Sequence, residues 1–142
     1  MASVLWFVVM AFSISGCNTG SEPVISEYFN SGCLTAEDDA ASTDYDAIYT
    51  PCDGVEELLT AVDNNTLHIV HKNSVQNCCL DEIKVTLEVE GNILKVKEEP
   101  VESAPCDCEC CYNVESTIID LSPGVYVLEY CARKCFNKYI VI

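Results

Sequence analysis

The sequence contains few basic residues. It has 7 lysine and arginine residues against 23 aspartate and glutamate residues, and its formal net charge is −16. A surface of that sign repels nucleic acid and anionic lipid headgroups, which disfavours binding to DNA, to RNA and to the periphery of a membrane. We therefore expect no nucleic-acid partner, and we expect the acidic surface to promote solubility.

Groups suited to catalysis are also scarce. The chain has 2 histidines, His68 and His71, and neither lies beside a plausible nucleophile. Two residues three positions apart on a strand point to opposite faces, so these histidines cannot share a metal ion. We interpret both as edge or partly buried residues. We predict no catalytic residue, no cofactor and no enzyme activity.

The chain also lacks an apolar run that could span a membrane, which requires about 20 residues. The longest run, Val4 to Phe12, has 9 residues. Its length is typical of the h-region of a signal peptide. The segment Ile14-Ser15-Gly16-Cys17 follows and resembles a bacterial lipobox, in which the leader is removed before the cysteine and the thiol carries a diacylglycerol.

The lipobox resemblance implies that residues 1–16 are a lipoprotein signal peptide and that Cys17 is the lipidated mature N-terminus. The protein would then lie in the bacterial cell envelope, facing the periplasm or the cell surface, with two or more acyl chains as a stable anchor. The first three residues include no lysine or arginine, unlike a usual signal peptide, so a plain secretory leader is the alternative. Parity favours lipidation, because the chain has 11 cysteines and modifying Cys17 leaves an even number.

Composition divides the rest of the chain into two parts. We predict a lipid-anchored tether with an acidic loop over residues 17–50, and a cysteine-rich β-sandwich domain over residues 51–142. The acidic run at 37–46 is either a solvated loop or a cation-binding loop, and it lacks the glycine and spacing of an EF-hand. Cys33 and Cys52 lie on either side of this run, so a disulfide between them would close the loop.

Alternating apolar residues predict strands over most of the second part. The only helix-like stretch is short, at residues 54–62. Six strands are predicted, at residues 66–72, 82–90, 93–97, 112–121, 125–131 and 136–142. Short strands at this spacing favour an all-β fold, an antiparallel β-sandwich that is immunoglobulin-like in the broad sense. An irregular, disulfide-stapled segment would precede it.

Ten cysteines remain after Cys17, and export of the chain would favour disulfides among them. The candidates are Cys33, Cys52, Cys78, Cys79, Cys106, Cys108, Cys110, Cys111, Cys131 and Cys135. Alternate cysteines of an extended 106–111 segment share one face at a Cα spacing of about 6.6 Å, near the outer limit for a disulfide. We therefore predict that Cys78 and Cys79 each bond to a member of this cluster. We also predict the pair Cys33–Cys52, and Cys131 could pair with Cys135 across the last turn.

A thiolate metal site is the alternative interpretation of the same cluster. Soft sulfur ligands at C-x-C spacing suit Cu(I) or Zn. The oxidising compartment and the absence of a nearby histidine count against that interpretation, and no metal ligand is assigned. A redox role is weaker, because the chain has no C-x-x-C motif and the acidic side chains of Asp107 and Glu109 would raise the pKa of neighbouring thiols.

A further resemblance rests on three motifs between residues 67 and 128. These are Asn77-Cys78-Cys79, the C-x-C-x-C-C-Y segment at 106–112, and Gly124-x-Tyr126. Together they resemble a group of uncharacterised cysteine-rich bacterial lipoproteins. That resemblance implies a shared architecture but no activity, because the group has none assigned.

The expected function is a lipid-anchored envelope protein that acts without catalysis, as a binding or structural module stabilised by disulfides. Its partners would be the membrane, through the lipid on Cys17, and an unidentified protein or small ligand of the envelope. The alternative is a metal-binding or redox protein that uses the thiols of Cys78, Cys79 and the 106–111 cluster.

Overall fold

A computed structural model describes residues 21–34, 54–104 and 106–142. These residues form eight strands and no helix. The strands are β1 (Val24–Asn30), β2 (Glu57–Asp63), β3 (Thr66–Asn77), β4 (Glu82–Glu90), β5 (Ile93–Val101), β6 (Glu109–Ile119), β7 (Val125–Cys131) and β8 (Cys135–Val141). They build two four-stranded sheets that pack on each other, so the prediction of an all-β sandwich is confirmed.

The first sheet has the order β1-β6-β3-β2, and the second has the order β4-β5-β7-β8. Neighbouring strands are antiparallel except β5 and β7, which run parallel, so the second sheet is mixed. The edge strands β1 and β4 contact each other across the sandwich, as do β2 and β8. The Tyr28 hydroxyl donates to Glu82 Oε1 at 2.9 Å on one side, and Lys138 Nζ donates to the carbonyl of Leu58 on the other.

The core follows from the period-two alternation of the strands, which places every second side chain between the sheets. In β5, Leu94 and Val96 are buried while Lys97 is exposed, and in β7 Leu128 is buried. The largest fully buried apolar side chains are Tyr130, Leu67, Ile69, Ile83, Leu94, Ile118, Leu121 and Leu128. These residues come from both sheets, so one continuous core joins the two layers.

The helix predicted at residues 54–62 is wrong. Most of that stretch forms β2, which pairs with β3 from Glu57↔Lys72 to Asp63↔Thr66. The hairpin turns at Asn64, whose φ of 53° lies in the left-handed region that asparagine tolerates. Leu58 is buried and Leu59 is partly exposed, as expected of a strand. Pairing with β3 therefore outweighs the helix propensity of a short leucine-containing run.

The irregular structure predicted for residues 17–50 is wrong at residues 24–30, which form β1. This strand pairs antiparallel with β6 and has a bulge between Ile25 and Glu27. It lies at a sheet edge, and Tyr28 and Phe29 are 41% and 63% exposed. Because the bulge and the edge position disturb the alternation, the sequence of β1 carries little strand signal.

Several predictions concern residues that the structure does not describe. They are the signal peptide at 1–16, the lipidated Cys17, the acidic loop at 37–46 and the cysteine at position 52. Within the described ranges, no helix has the length and apolar character needed to cross a bilayer.

Candidate functional site

Two disulfides join the turn after β3 to the segment that leads into β6. Cys78 is bonded to Cys108 and Cys79 to Cys106, with Cα–Cα distances of 5.6 Å and 5.8 Å. This arrangement confirms the prediction that each of the adjacent cysteines bonds to a member of the cluster. The two segments are brought together because β3 and β6 are neighbours, and their register ends at Asn77↔Glu109.

Cys33 is bonded to Cys110, with a Cα–Cα distance of 5.6 Å, so the predicted pair Cys33–Cys52 is wrong. The reason is that the chain after β1 continues along β6. The backbone N–H of Leu34 donates to the carbonyl of Cys111 at 2.8 Å, and that of Ser31 donates to Asn113 at 2.9 Å. This pairing places Cys33 beside Cys110.

The remaining described cysteines are also disulfide-bonded. Cys131 is bonded to Cys135 across the turn between β7 and β8, with a Cα–Cα distance of 4.1 Å, as predicted. Cys111 takes part in a disulfide as well, and its side chain is buried. Every cysteine that the structure describes is therefore oxidised.

Asn77 organises the backbone around the two adjacent disulfides. Its Oδ1 accepts a hydrogen bond from the backbone N–H of Cys79 at 2.8 Å, and its Nδ2 donates to the carbonyl of Cys106 at 2.7 Å. The backbone N–H of Cys78 donates to the carbonyl of Cys108 at 3.2 Å. The hydroxyl of Tyr112 donates to the carbonyl of Asn77 at 3.1 Å. The two cysteine-bearing segments are thus joined by hydrogen bonds as well as by sulfur.

The sulfur atoms of this pair of disulfides lie close together. Sγ of Cys106 is 3.2 Å from Sγ of Cys108, although the two are not bonded to each other. The Sγ atoms of Cys79, Cys106 and Cys108 all lie within 4.8 Å of one another. Cys79 is exposed and the other two residues are partly buried, so the group lies near the surface.

A cavity of about 220 Å³ lies next to this cluster, between β1 and β4. Cys33 and Cys78 line it together with Tyr112 and the acidic side chains of Asp81 and Glu82. A small group that enters this cavity would therefore contact Cys78 of one disulfide, Cys33 of another and an acidic wall.

A second chemical feature is a buried carboxylate at the centre of a polar network. Glu98 on β5 is only 4% exposed. His71 Nδ1 donates to Glu98 Oε2 at 2.6 Å, and the hydroxyl of Tyr130 donates to the same oxygen at 2.9 Å. Ser74 Oγ and Gln76 Nε2 donate to Glu98 Oε1 at 2.5 Å and 3.1 Å. Four donors therefore satisfy the buried carboxylate.

The network reaches the surface through the second ring nitrogen of His71. His71 Nε2 lies 3.0 Å from Glu56 Oε1, and Lys134 Nζ lies 2.6 Å from Glu56 Oε2. The His71 ring packs edge-on against Tyr130 and Phe136, each with a centroid distance of 5.3 Å. Because both ring nitrogens face carboxylate oxygens, both contacts are hydrogen bonds only when His71 carries two protons.

Burial is the largest influence on the Glu98 carboxyl group, and it raises the pKa. The hydrogen bonds from His71 and Ser74, the charge of His71 and the hydrogen bond from Tyr130 together lower the pKa by more. The pKa of Glu98 therefore lies below its ordinary value of 4.5. Burial and the nearby charge of Glu98 raise the pKa of Tyr130, so its hydroxyl stays protonated and remains a donor.

The sequence interpretation of the histidines is confirmed in one respect and wrong in another. His68 and His71 do point to opposite faces of β3, since His68 is exposed and His71 is fully buried. Neither histidine is at an edge or partly buried, because β3 lies inside its sheet, His68 is exposed and His71 is fully buried. The sequence does predict that Glu98, the partner of His71, is buried, because the alternation of Leu94 and Val96 in β5 places Glu98 on the inner face. The burial of Ser74 and Gln76 on β3 does not follow from the alternation around His71, because the register of β3 shifts between His71 and Ser74.

Comparison of the chain with protein-family models, with curated proteins and with solved structures finds no match. Its chemistry must therefore be interpreted from its own residues. The Glu98 network is buried and fully hydrogen-bonded, which is typical of a structural role. The paired disulfides beside the cavity are accessible, which makes them the candidate functional site.

Proposed function

We propose that this chain is an exported, lipid-anchored protein of the bacterial cell envelope that acts without catalysis, as a binding or structural module. Residues 1–16 would be the signal peptide and Cys17 the lipid attachment point. The proposal includes the relationship to cysteine-rich bacterial lipoproteins that the three motifs indicate. Its partner would be a protein or small ligand of the envelope, with no nucleic acid involved.

The observation that carries this proposal is the oxidised state of all the described cysteines. Disulfides form and persist in extracytoplasmic compartments and are rare in a reducing cytosol. Here they join segments far apart in the chain, with sequence separations of 77 for Cys33–Cys110 and 30 for Cys78–Cys108. A fold stapled in this way suits a compartment in which disulfides last.

The proposed anchor also orients the domain. Val24 begins β1 seven positions after Cys17, a span of at most about 25 Å for an extended chain. The first residue of β1 pairs with Ile119 at one end of the sandwich, and the strand ends next to Val114, toward the opposite end. The paired disulfides lie beyond Val114, where β6 begins. A domain held through Cys17 would therefore present them away from the membrane.

Fractionation of cells that express the full chain tests the anchor. The wild-type protein should pellet with membranes and lack its leader, and Cys17→Ser should be released from the membranes or keep the leader uncut. A Cys17→Ser protein that still pellets and is still cleaved would show that the lipobox interpretation is wrong. Cys135→Ser is a matched control, because it removes a distant cysteine and should leave membrane association unchanged.

A metal-binding or redox role for the cysteine cluster is the second candidate function. One observation favours it, the clustering of the Cys79, Cys106 and Cys108 sulfurs within 4.8 Å. Thiol counting on protein purified from the envelope separates the two candidates. An absence of free thiols and of bound metal supports the binding or structural module, whereas free thiols or stoichiometric metal support the second candidate.

A further inference from the structure

We infer that Cys78, Cys79, Cys106 and Cys108 form a redox-gated zinc site, closed as two disulfides when oxidised and open as four thiolates when reduced. This inference rests on the second candidate function and deepens it. Four of the six sulfurs in the cluster would bind the metal, the metal would be zinc, and binding would require the reduced protein.

The first argument is the spacing of the sulfur atoms. Structural zinc sites are tetrahedral with Zn–S distances of about 2.3 Å, which places the sulfurs about 3.8 Å from one another. In the oxidised protein the non-bonded sulfurs of Cys106 and Cys108 are 3.2 Å apart, and the Sγ atoms of Cys79, Cys106 and Cys108 lie within 4.8 Å. Cys78 is bonded to Cys108 and supplies the fourth sulfur, although it lies outside the group of three. Its side chain would turn toward the other sulfurs once the Cys78–Cys108 bond is broken.

The second argument is that hydrogen bonds as well as sulfur join the two segments. Asn77 bonds to the backbone of Cys79 and of Cys106, and a backbone hydrogen bond joins Cys78 to Cys108. Asn77 Oδ1 also lies 3.2 Å from Sγ of Cys106, where it can accept the S–H proton of the reduced form. Zinc binding to the reduced chain would therefore restore a proximity that these contacts already favour.

The third argument separates these four cysteines from the others by their arrangement. Cys110 and Cys111 are buried, at 4% and 3% exposure, and the exposed Cys33 is bonded to the buried Cys110. Cys131 and Cys135 form a single pair at the turn between β7 and β8. Cys79 is exposed, and its disulfide with Cys106 lies beside the Cys78–Cys108 disulfide. This pair of disulfides therefore holds four sulfurs close together near the surface.

The redox step requires an external dithiol as the reductant. Two dithiol molecules supply four electrons and four protons, which break the two disulfides and leave four cysteine thiols. The two dithiols become two disulfides. Zinc then binds to the thiolates, and the protons of the four thiols pass to water, so binding is favoured at higher pH.

Zinc titration of the reduced full chain tests the inference. The protein is reduced with dithiothreitol, separated from it without oxygen, titrated with Zn²⁺ alone and desalted. We expect one zinc ion per chain and none bound to the oxidised protein. We also expect zinc to protect four cysteines from alkylation, and peptide mapping should identify them as Cys78, Cys79, Cys106 and Cys108.

Two quadruple variants provide the matched comparison. Replacing Cys78, Cys79, Cys106 and Cys108 with serine should abolish stoichiometric binding, whereas replacing Cys33, Cys110, Cys131 and Cys135 should retain one zinc ion. Equal binding by the two variants, or no stoichiometric zinc on the reduced wild-type chain, would overturn the inference. The alkylation map of the wild-type chain decides the matter if a variant does not fold, because protection of any other set of cysteines also refutes the site.

Discussion

Replacing Glu98 with glutamine should destabilise the protein strongly, because this buried carboxylate accepts hydrogen bonds from four side chains. The substitution preserves the shape of the side chain but removes the charge. It also turns one acceptor oxygen into an NH₂ group that faces either Ser74 and Gln76 or His71 and Tyr130, all of which donate to Glu98 now. Buried donors then face another donor and lose their acceptor.

The magnitude follows from these contacts. Leaving one buried donor without its acceptor costs about 1–3 kcal/mol, and a domain of this size is stable by about 5–15 kcal/mol in total. Two donors face the new NH₂ group in either orientation of the glutamine, so we expect Glu98→Gln to lower the free energy of unfolding by about 2 kcal/mol or more. Urea denaturation of the oxidised protein at pH 7, followed by circular dichroism, measures the change.

Glu99→Gln is a matched control one position away. The Glu99 side chain is 53% exposed, and its only described ion pair is with Lys97 at 3.3 Å. An exposed pair of this kind contributes about 0–1 kcal/mol, so this variant should unfold almost as the wild type does. A loss below about 1 kcal/mol for Glu98→Gln, no larger than the control, would refute the argument that Glu98 satisfies buried donors that no other acceptor can reach.

Three further predictions follow from the same structure. The pKa of Glu98 is lowered in the folded state. The stabilisation that Glu98 gives the fold is therefore present above pH 4.5 and is lost as the pH falls through the folded pKa. The free energy of unfolding should accordingly fall less steeply with acid for Glu98→Gln than for the wild type. Non-reducing peptide mapping should find Cys33 linked to Cys110. It should also find Cys111 linked to Cys52, because Cys52 is the cysteine that remains if Cys17 is lipidated. Any other partner of Cys111 would contradict the argument from an even number of cysteines. Fully reduced, metal-free protein should be unfolded at physiological temperature, because each disulfide contributes about 2–4 kcal/mol; a dispersed NMR spectrum from that sample would contradict this.

The strands that the sequence predicts well are those with clean alternation and a strong turn. β4 and β7 have the predicted bounds, because apolar residues such as Ile83 and Val85 alternate without interruption. β1 and β2 were missed for opposite reasons. The bulge and edge position of β1 remove its pattern, and the adjacent leucines of β2 imitate a helix until β3 pairs with them.

The candidate sites were predictable only where local geometry decides. The separation of Cys78 and Cys79 onto different partners follows from alternation, and the structure confirms it. The partner of Cys33 depends on the path of the chain after β1, which pairs with β6 over a sequence distance of about 80 residues. No local sequence pattern predicts such a pairing. The sequence therefore favours Cys52, the closer cysteine, as the partner of Cys33, and this prediction is wrong.

The two chemical features lie toward the same end of the sandwich. Near the β2–β3 and β4–β5 hairpins the space between the sheets is filled by apolar side chains such as Leu67 and Leu94. Toward the opposite end Glu98, His71 and their polar partners share the interior with apolar residues such as Ile83 and Tyr112. Buried polar groups stabilise less than an apolar core of the same volume, since their desolvation offsets most of their attraction. The disulfides add covalent stability where the interior is partly polar, so reduction of the paired disulfides should loosen this end first.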